Sequence, residues 1–492
     1  MSKIVTTYNA NYQSKTNAFP YQAEAFMAIK DLDYSAIFHE QGLGKTKIAI
    51  DLMLYWLDKR DIDTVMIVTK KQLVKNWVDE FPVHTFIKPK TLSNNKTDNF
   101  YVLNSPAKAI ITNFETLSTD KERIKLFLKL RDVAIIIDES TKLKNPESKL
   151  TKDFFEIAPL FKIRTIMNGT PVAKRPYDIW SQIYFLDAGK SLGPDFKAFK
   201  SNTDLKNDFE EDELGRRIFE ESVSGIYKKI SAFSVRETKA SCGIELPEKE
   251  YVAVYSEFEE LQEVMYKKVM HELSLDINKD GEHILDDDSA ALKRLLRFNE
   301  ITSNPRLVDD GYDRNSSKEI ELDRLIKDIV LKDEKCIVWS NFIENIDYFS
   351  KKYNEYQPRK IHGRMAMEER NKSVDLFKRD PQCKILFATP QAAKEGLTLT
   401  VANHVIFYDR GFNLDDYLQA QDRIHRISQK KKCYIYNLMV RGSIDEWIDS
   451  LLNAKQYAAF LAQGDIDLGE YIKKADYSYC DIIRELLAAE ED

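Results

Sequence analysis

Short runs of β-branched and other apolar residues recur along the first half of the chain at 35–38, 65–68, 109–112, 133–137 and 164–167, each followed by a stretch of helical length. Strands that read as unbroken apolar runs are buried on both faces, and strands that alternate with helices pair in parallel. The pattern therefore predicts a parallel sheet covered by helices on both sides. The rhythm restarts after residue 330, with strands expected at 336–339, 384–388, 404–408 and 433–437 and helices at 342–354, 366–378, 413–425 and 443–461. Between the two, residues 187–330 are richer in charge and mostly helical in pattern, and are read as insertions or spacers. The expected architecture is α/β: two parallel-sheet lobes in tandem, 1–245 and 246–492, with helical insertions at about 187–245 and 256–315 and a helical tail.

Composition narrows the picture. A hydrophobic content of 43% is enough to fill large cores. The longest apolar runs are strand-sized, and the start of the chain lacks the apolar segment of a signal peptide. A soluble, cytoplasmic chain that does not engage a membrane is expected. The five cysteines are scattered without C-x-x-C spacing, so neither a disulfide framework nor a zinc site is indicated. A net charge of −7 argues against coating nucleic acid through bulk positive charge. Local basic tracks remain open at Lys70-Lys71, Lys142 with Lys144, and Lys430-Lys431-Lys432, although each also suits a solvated face.

Three segments carry chemistry. Gln41-Gly42-Leu43-Gly44-Lys45-Thr46 follows the first strand and opens a helix. Gly42 and Gly44 let backbone N–H groups approach phosphates, Lys45 reaches the β- and γ-phosphates, and Thr46 offers a hydroxyl to Mg2+. The strict pattern has Gly where this chain has His39. Next, Ile135-Ile136-Ile137-Asp138-Glu139 is an apolar strand ending in two carboxylates, which suits Asp138 to the Mg2+ shell and Glu139 to activating water. Alone, such a pair equally opens a loop before a helix. Finally, in the segment 419–429 Arg423 and Arg426 would bring guanidinium groups to a transferring γ-phosphoryl. Asp276, Asn278, Asp280 and Asp287 mimic a calcium loop, but His283 takes its apolar position and a charged helical spacer is the simpler reading. Trp56, Trp77, Trp180 and Trp447 fall in helical patterns and are expected in the core. In the first insertion, Phe196, Phe199, Phe209, Phe219 and Tyr227 are expected either to pack its own core or to part strands at a junction.

Taken in order, Tyr21-Gln22, the glycine loop, Asn76-Trp77, 112–117, Asp138-Glu139-Ser140-Thr141 with Lys142-Leu143-Lys144-Asn145, and Asn168-Gly169-Thr170-Pro171 resemble the first-lobe motifs of SWI/SNF-type superfamily 2 helicases. The motifs at 337–341, Ile361-His362-Gly363-Arg364, Thr389, Gly396-Leu397-Thr398-Leu399, Asp409 and 419–429 resemble the remainder. The resemblance implies two RecA-like lobes with ATP and Mg2+ between them. Gln22 would then read adenine, with Gly42, Leu43, Gly44, Lys45 and Thr46 on the phosphates, Thr46 and Asp138 on the metal, and Gly396, Gln419, Arg423 and Arg426 completing the site from the second lobe. It also implies DNA held through its backbone near Lys70, Lys71, Thr112, Asn113, Ser340, Asn341, His362, Arg364 and Thr389. Thr141 stands where the family often has a His, and 393–396 and 411–414 depart from its usual patterns. The implied activity is an ATP-dependent translocase or helicase on duplex, forked or branched DNA in recombination or repair, in the manner of compact bacterial and phage members, working as a monomer. An RNA-stimulated motor, or an ATP-hydrolysing switch subunit of a restriction or defence assembly, would share the ATPase motifs.

Overall fold

The structure is a computed structural model and describes residues 11–172, 175–206, 208–280, 290–393, 397–426 and 428–481. The acidic side chains that mimic a calcium loop, and Gly396, lie outside the described residues. The chain forms two compact units. The first comprises Met1–Asp204, Glu221–Glu245 and Leu461–Asp467, and the second Leu205–Glu220, Leu246–Phe460 and Leu468–Asp492. Each is assembled from more than one stretch of chain.

In the first unit, β1 (Tyr34–Ile37), β2 (Thr64–Thr69), β3 (Lys90–Thr91), β4 (Ala109–Asn113), β5 (Val133–Asp138), β6 (Ile163–Met167) and β7 (Ser234–Val235) form one sheet in the order β3-β4-β2-β5-β6-β1-β7. Every pairing is parallel. β2 and β4 are buried at every position, so both faces carry apolar side chains and no in–out alternation shows in the sequence. The helix Lys45–Lys59 turns Ile48, Leu52 and Trp56 into the cluster formed by Ile37, Val65, Ile67, Ile111 and Ile136. Each such side chain, fully buried, contributes roughly 1.5–3 kcal/mol.

In the second unit, β8 (Lys249–Ser256), β9 (Cys336–Trp339), β10 (Arg359–Ile361), β11 (Ile385–Ala388), β12 (His404–Phe407) and β13 (Cys433–Val440) form a second sheet in the order β10-β11-β9-β12-β13-β8. It too is parallel throughout.

These two sheets correct the reading of 187–330 as spacer. β8 pairs with β13 over its whole length, from Lys249 opposite Cys433 to Ser256 opposite Val440. An edge strand has one neighbour and a wet face, so Lys249, Glu250 and the exposed Tyr251 and Tyr255 disguise it. The helix Ser317–Leu331 packs Leu322, Leu325, Ile326 and Ile329 into the second core and belongs to that unit. The expected helix at 413–425 ends at Gln421, placing Arg423 and Arg426 in the turns beyond it. Of the insertion aromatics, Phe209 and Phe219 are buried with ring centroids 5.1 Å apart, which is the packing role.

One polar contact is sealed inside the second unit. Lys318 Nζ donates to Asp445 Oδ1 at 2.7 Å, with the two side chains 0% and 4% exposed, and Asp445 also accepts the Val440 N–H at 3.0 Å. Removing the cation strands a carboxylate away from water, so Lys318→Met should cost about 3–5 kcal/mol of stability. The cost is measured by denaturant unfolding followed through Trp339 and Trp447, and adding Asp445→Asn should recover part of it.

Candidate active site and nucleic-acid contacts

The glycine loop runs from the end of β1 into the helix Lys45–Lys59. Gly42 and Gly44 have φ of +91° and +71°, the left-handed region that costs other residues energy. Gly44 is the helix N-cap, and no side chain caps the first turn, so the dipole end and its N–H groups are available to an anion. A Cβ on Gly44 would lie 2.3 Å from Gln22 Nε2. That amide is part of a clasp: Gln22 Nε2 donates to the Leu43 carbonyl at 3.0 Å, and Gln22 Oε1 accepts the Phe19 N–H at 3.0 Å. Lys45 Nζ donates to the carbonyls of His39 and Glu40 at 2.8 and 3.3 Å. Burial pulls the Lys45 ammonium down to about 8, and the Glu139 and Asp138 carboxylates oppose that pull. A polyphosphate beside it would raise it again. Glycine cradle, uncapped helix and desolvated cation form a set that fits a nucleotide's phosphates.

The acidic pair closes β5, two strands from β1. Asp138 Oδ2 accepts the Trp77 indole N–H at 2.9 Å and the Thr69 hydroxyl at 3.2 Å. Burial first, and the Glu139 charge second, push the Asp138 carboxyl up. Its oxygens and the Thr46 hydroxyl are hard donors of the kind that suits Mg2+. Glu139 adopts φ +58° and opens the 3₁₀ turn Ser140–Leu143, a backbone state uncommon outside glycine and concentrated at functional sites. Its Oε2 is 2.9 Å from Lys70 Nζ. Ser140 donates to Gln182 Oε1 at 2.6 Å and Gln182 Nε2 donates to the Pro171 carbonyl at 2.7 Å, so the acidic turn is tied to the segment after β6. Sequence reasoning placed Trp77 in a resembling motif and in the core without naming its acceptor, and assigned no role to Thr69 or Gln182. The available signal was that a buried indole N–H needs an acceptor.

In the second unit, Arg423 is 2% exposed. Its Nε donates to the Gln419 carbonyl at 3.0 Å and its Nη1 to the Leu397 carbonyl at 3.4 Å. Arg426 donates from Nε to the Asp422 carbonyl at 3.0 Å and from Nη1 to the Thr398 hydroxyl at 2.7 Å, and burial lowers its pKa. Gln419 holds Asp415 at 2.8 Å, and Gln429 Nε2 reaches the Ala402 carbonyl at 2.9 Å. The arginine segment is thus stitched to the loop 397–402.

The residues expected at nucleic acid divide. Thr112 and Ser340 are fully buried, with the Thr112 hydroxyl donating to the Asn113 carbonyl and the Ser340 hydroxyl to Asp409. Asn113 is spent capping the helix Phe114–Thr119. Asn341 donates to Asp409 Oδ1 through its backbone N–H at 2.7 Å and its Nδ2 at 2.9 Å. Asp409 also accepts from Ser303 at 2.8 Å and is the organising anion of that strand end, a role its sequence position did not disclose. Lys71 and Arg364 are exposed, Arg364 beside Glu344 at 3.1 Å. His362 and Thr389 are buried, His362 3.6 Å from Asp347. Of the run at 430–432, Lys431 pairs with Glu334 at 2.9 Å and Lys432 with Glu250 at 2.8 Å, which makes it a balanced surface.

A profile described as the SNF2-related domain matches residues 29–307, and one described as the helicase conserved C-terminal domain matches 318–428. A Mycoplasma genitalium protein named as an uncharacterized ATP-dependent helicase is 27% identical over 450 residues, 89% of this chain and 42% of its own length. The mouse SWI/SNF-related matrix-associated actin-dependent regulator of chromatin subfamily A member 1 is 26% identical over 435 residues, 83% of this chain and 39% of that protein. The chain therefore spans about two fifths of the length of the curated relatives it matches. A solved structure of the Sulfolobus solfataricus SWI2/SNF2 ATPase core in complex with dsDNA aligns at 23% identity with a TM-score of 0.42, over 96% of this chain and 99% of that one. No helix among the described residues is long and apolar enough to cross a membrane.

The clasp at Gly44 generates a test. Gly44→Ala should lose about 1–2 kcal/mol of stability from the left-handed backbone alone, and should weaken nucleotide binding besides, because the new methyl displaces the Gln22 amide. Titration with a fluorescent ATP analogue beside a denaturation curve reads both, and an unaltered affinity would discount the clasp.

Proposed function

Because the chain belongs to the SNF2-related helicase family and carries its ATPase core, we propose that it is an ATP-driven DNA translocase or helicase acting on duplex or branched DNA. The observation that carries the reading is the meeting, inside one unit, of an uncapped glycine loop, the desolvated Lys45 and the acidic pair Asp138-Glu139. In the reaction, Lys45 exchanges its loop carbonyls for phosphate oxygens and opposes the charge that builds on them. Glu139 orients the attacking water and accepts its proton. Thr46 and Asp138 would hold Mg2+, which when bound neutralises charge on the β- and γ-phosphate oxygens. Arg426, with Arg423 beside it in sequence, supplies guanidinium charge that matters most as the γ-phosphoryl transfers. DNA is the favoured strand partner, and the exposed Lys71 and Arg364 support a grip on backbone phosphates without reading bases.

Lys45→Ala and Glu139→Gln should each lower the ATPase rate at least ~100-fold, with Glu139→Gln still binding ATP. A Glu139→Gln protein that turns over normally would overturn the assignment. Arg426→Ala is expected to reduce DNA-stimulated turnover by ~10³-fold while largely sparing ATP affinity. Steady-state rates and nucleotide titrations separate the two effects, and a collapse of affinity with normal residual turnover would contradict the role. Stimulation compared across single-stranded, duplex and forked DNA and RNA decides the substrate, with greater stimulation by RNA than by any DNA counting against the proposal.

A further inference from the structure

Lys70 has a position that a simple phosphate contact does not explain. It follows β2, and the order β4-β2-β5 sets it between Asn113 on one side and Asp138-Glu139 on the other. Its ammonium lies 2.9 Å from Glu139 Oε2, and the lysine side chain keeps 30% of its exposure while the glutamate keeps 19%. The pair is partly sunk, so breaking it with nothing in return leaves a carboxylate incompletely solvated. Solvent still reaches the lysine, so another anion can take it. Lys71 is exposed immediately beyond, where the 3₁₀ turn Lys71–Leu73 leads into the helix Val74–His84.

The contact also bears on the chemistry. An ammonium on one oxygen of Glu139 takes up part of that carboxylate's acceptor capacity and orients it, so an attacking water must share the group with the lysine. The backbone at Glu139 is held in the left-handed region, and Asp138 is anchored by Trp77 and Thr69.

We propose that Lys70 is a positioning residue shared between two anions: it holds Glu139 back until a backbone phosphate of a bound nucleic-acid strand draws its ammonium away and releases Glu139 to the attacking water. The exchange replaces one ion pair with another, so it costs little when a strand is present and is opposed when none is. This gives the unit a physical link between strand binding and hydrolysis, and it rests on the reading of Glu139 given above. Linkage makes the coupling reciprocal: whatever frees Lys70 from Glu139 must strengthen strand binding by the same factor.

That reciprocity supplies a test without nucleotide. Binding of a labelled random-sequence duplex DNA is measured at low salt for the wild type, Lys70→Ala, Glu139→Gln and the double variant. Glu139→Gln should tighten binding roughly 3- to 10-fold in the wild-type background and leave it unchanged in the Lys70→Ala background. Equal tightening in both backgrounds would reduce the effect to removal of a negative charge near DNA and overturn the proposal. In a second measurement, Lys70→Ala should raise the DNA-free ATPase rate roughly 3- to 10-fold with KM for ATP unchanged, and Lys70→Arg should restore the low rate. A DNA-free rate in Lys70→Ala that is unchanged or lowered overturns the proposal as well. A Glu139→Gln protein that still hydrolyses ATP rejects the underlying reading. A dead Glu139→Gln protein that binds duplex with no coupling to Lys70 rejects the latch alone.

Discussion

Parallel pairing of β1, β6, β5 and β2 is the constraint on which the first unit depends. Strands running the same way end at the same edge, so the loops that leave them converge there. The glycine loop after β1, the Asn168-Gly169 turn after β6, the acidic pair after β5 and Lys70 after β2 are neighbours for that reason alone. A Cβ on Gly169 would lie 3.3 Å from Lys45 Nζ, which measures how closely two of those loops approach. The helices on both faces keep the sheet itself dry.

Electrostatics in this edge is a balance among four groups. Burial works against the charge on Lys45 and on Asp138 alike; Glu139 and then Asp138 sustain the lysine, while hydrogen bonds from Trp77 and Thr69 and the Lys45 charge sustain Asp138. Glu139 pairs with Lys70 at 2.9 Å. A nucleotide with Mg2+ would bring to these groups both phosphate charge and compensating cation charge. Polar groups that are half satisfied by the protein are poised for a ligand in a way that fully satisfied ones are not.

The second unit solves a different problem at its own strand ends. Ser303, Ser340 and Asn341 all donate to Asp409, which stands after β12. The knot fixes the loop after β9 and consumes the hydroxyl and amide groups that sequence alone offers to a strand. Arg423 and Arg426 are likewise shaped by the carbonyls of Gln419, Leu397 and Asp422, which preorganise guanidinium groups otherwise free to rotate.

The sequence by itself determined the two-sheet α/β architecture, because strands buried on both faces must be apolar throughout and helices between them must be amphipathic. It also marked the glycine loop after β1 and the acidic pair that ends β5, since few residue types tolerate a positive φ and few offer charge at a strand end. It left β8 unrecognised, because an edge strand such as Lys249–Ser256 is wet on one face and reads as a charged spacer until β13 is beside it. Only the tertiary structure decided which polar residues face outward. Thr112 and Ser340 are fully buried and donate to Asn113 and Asp409, whereas Lys70 stays part-exposed beside Glu139. Residue type sets what a group can bind, and the groups that folding brings within three ångströms set what it does bind.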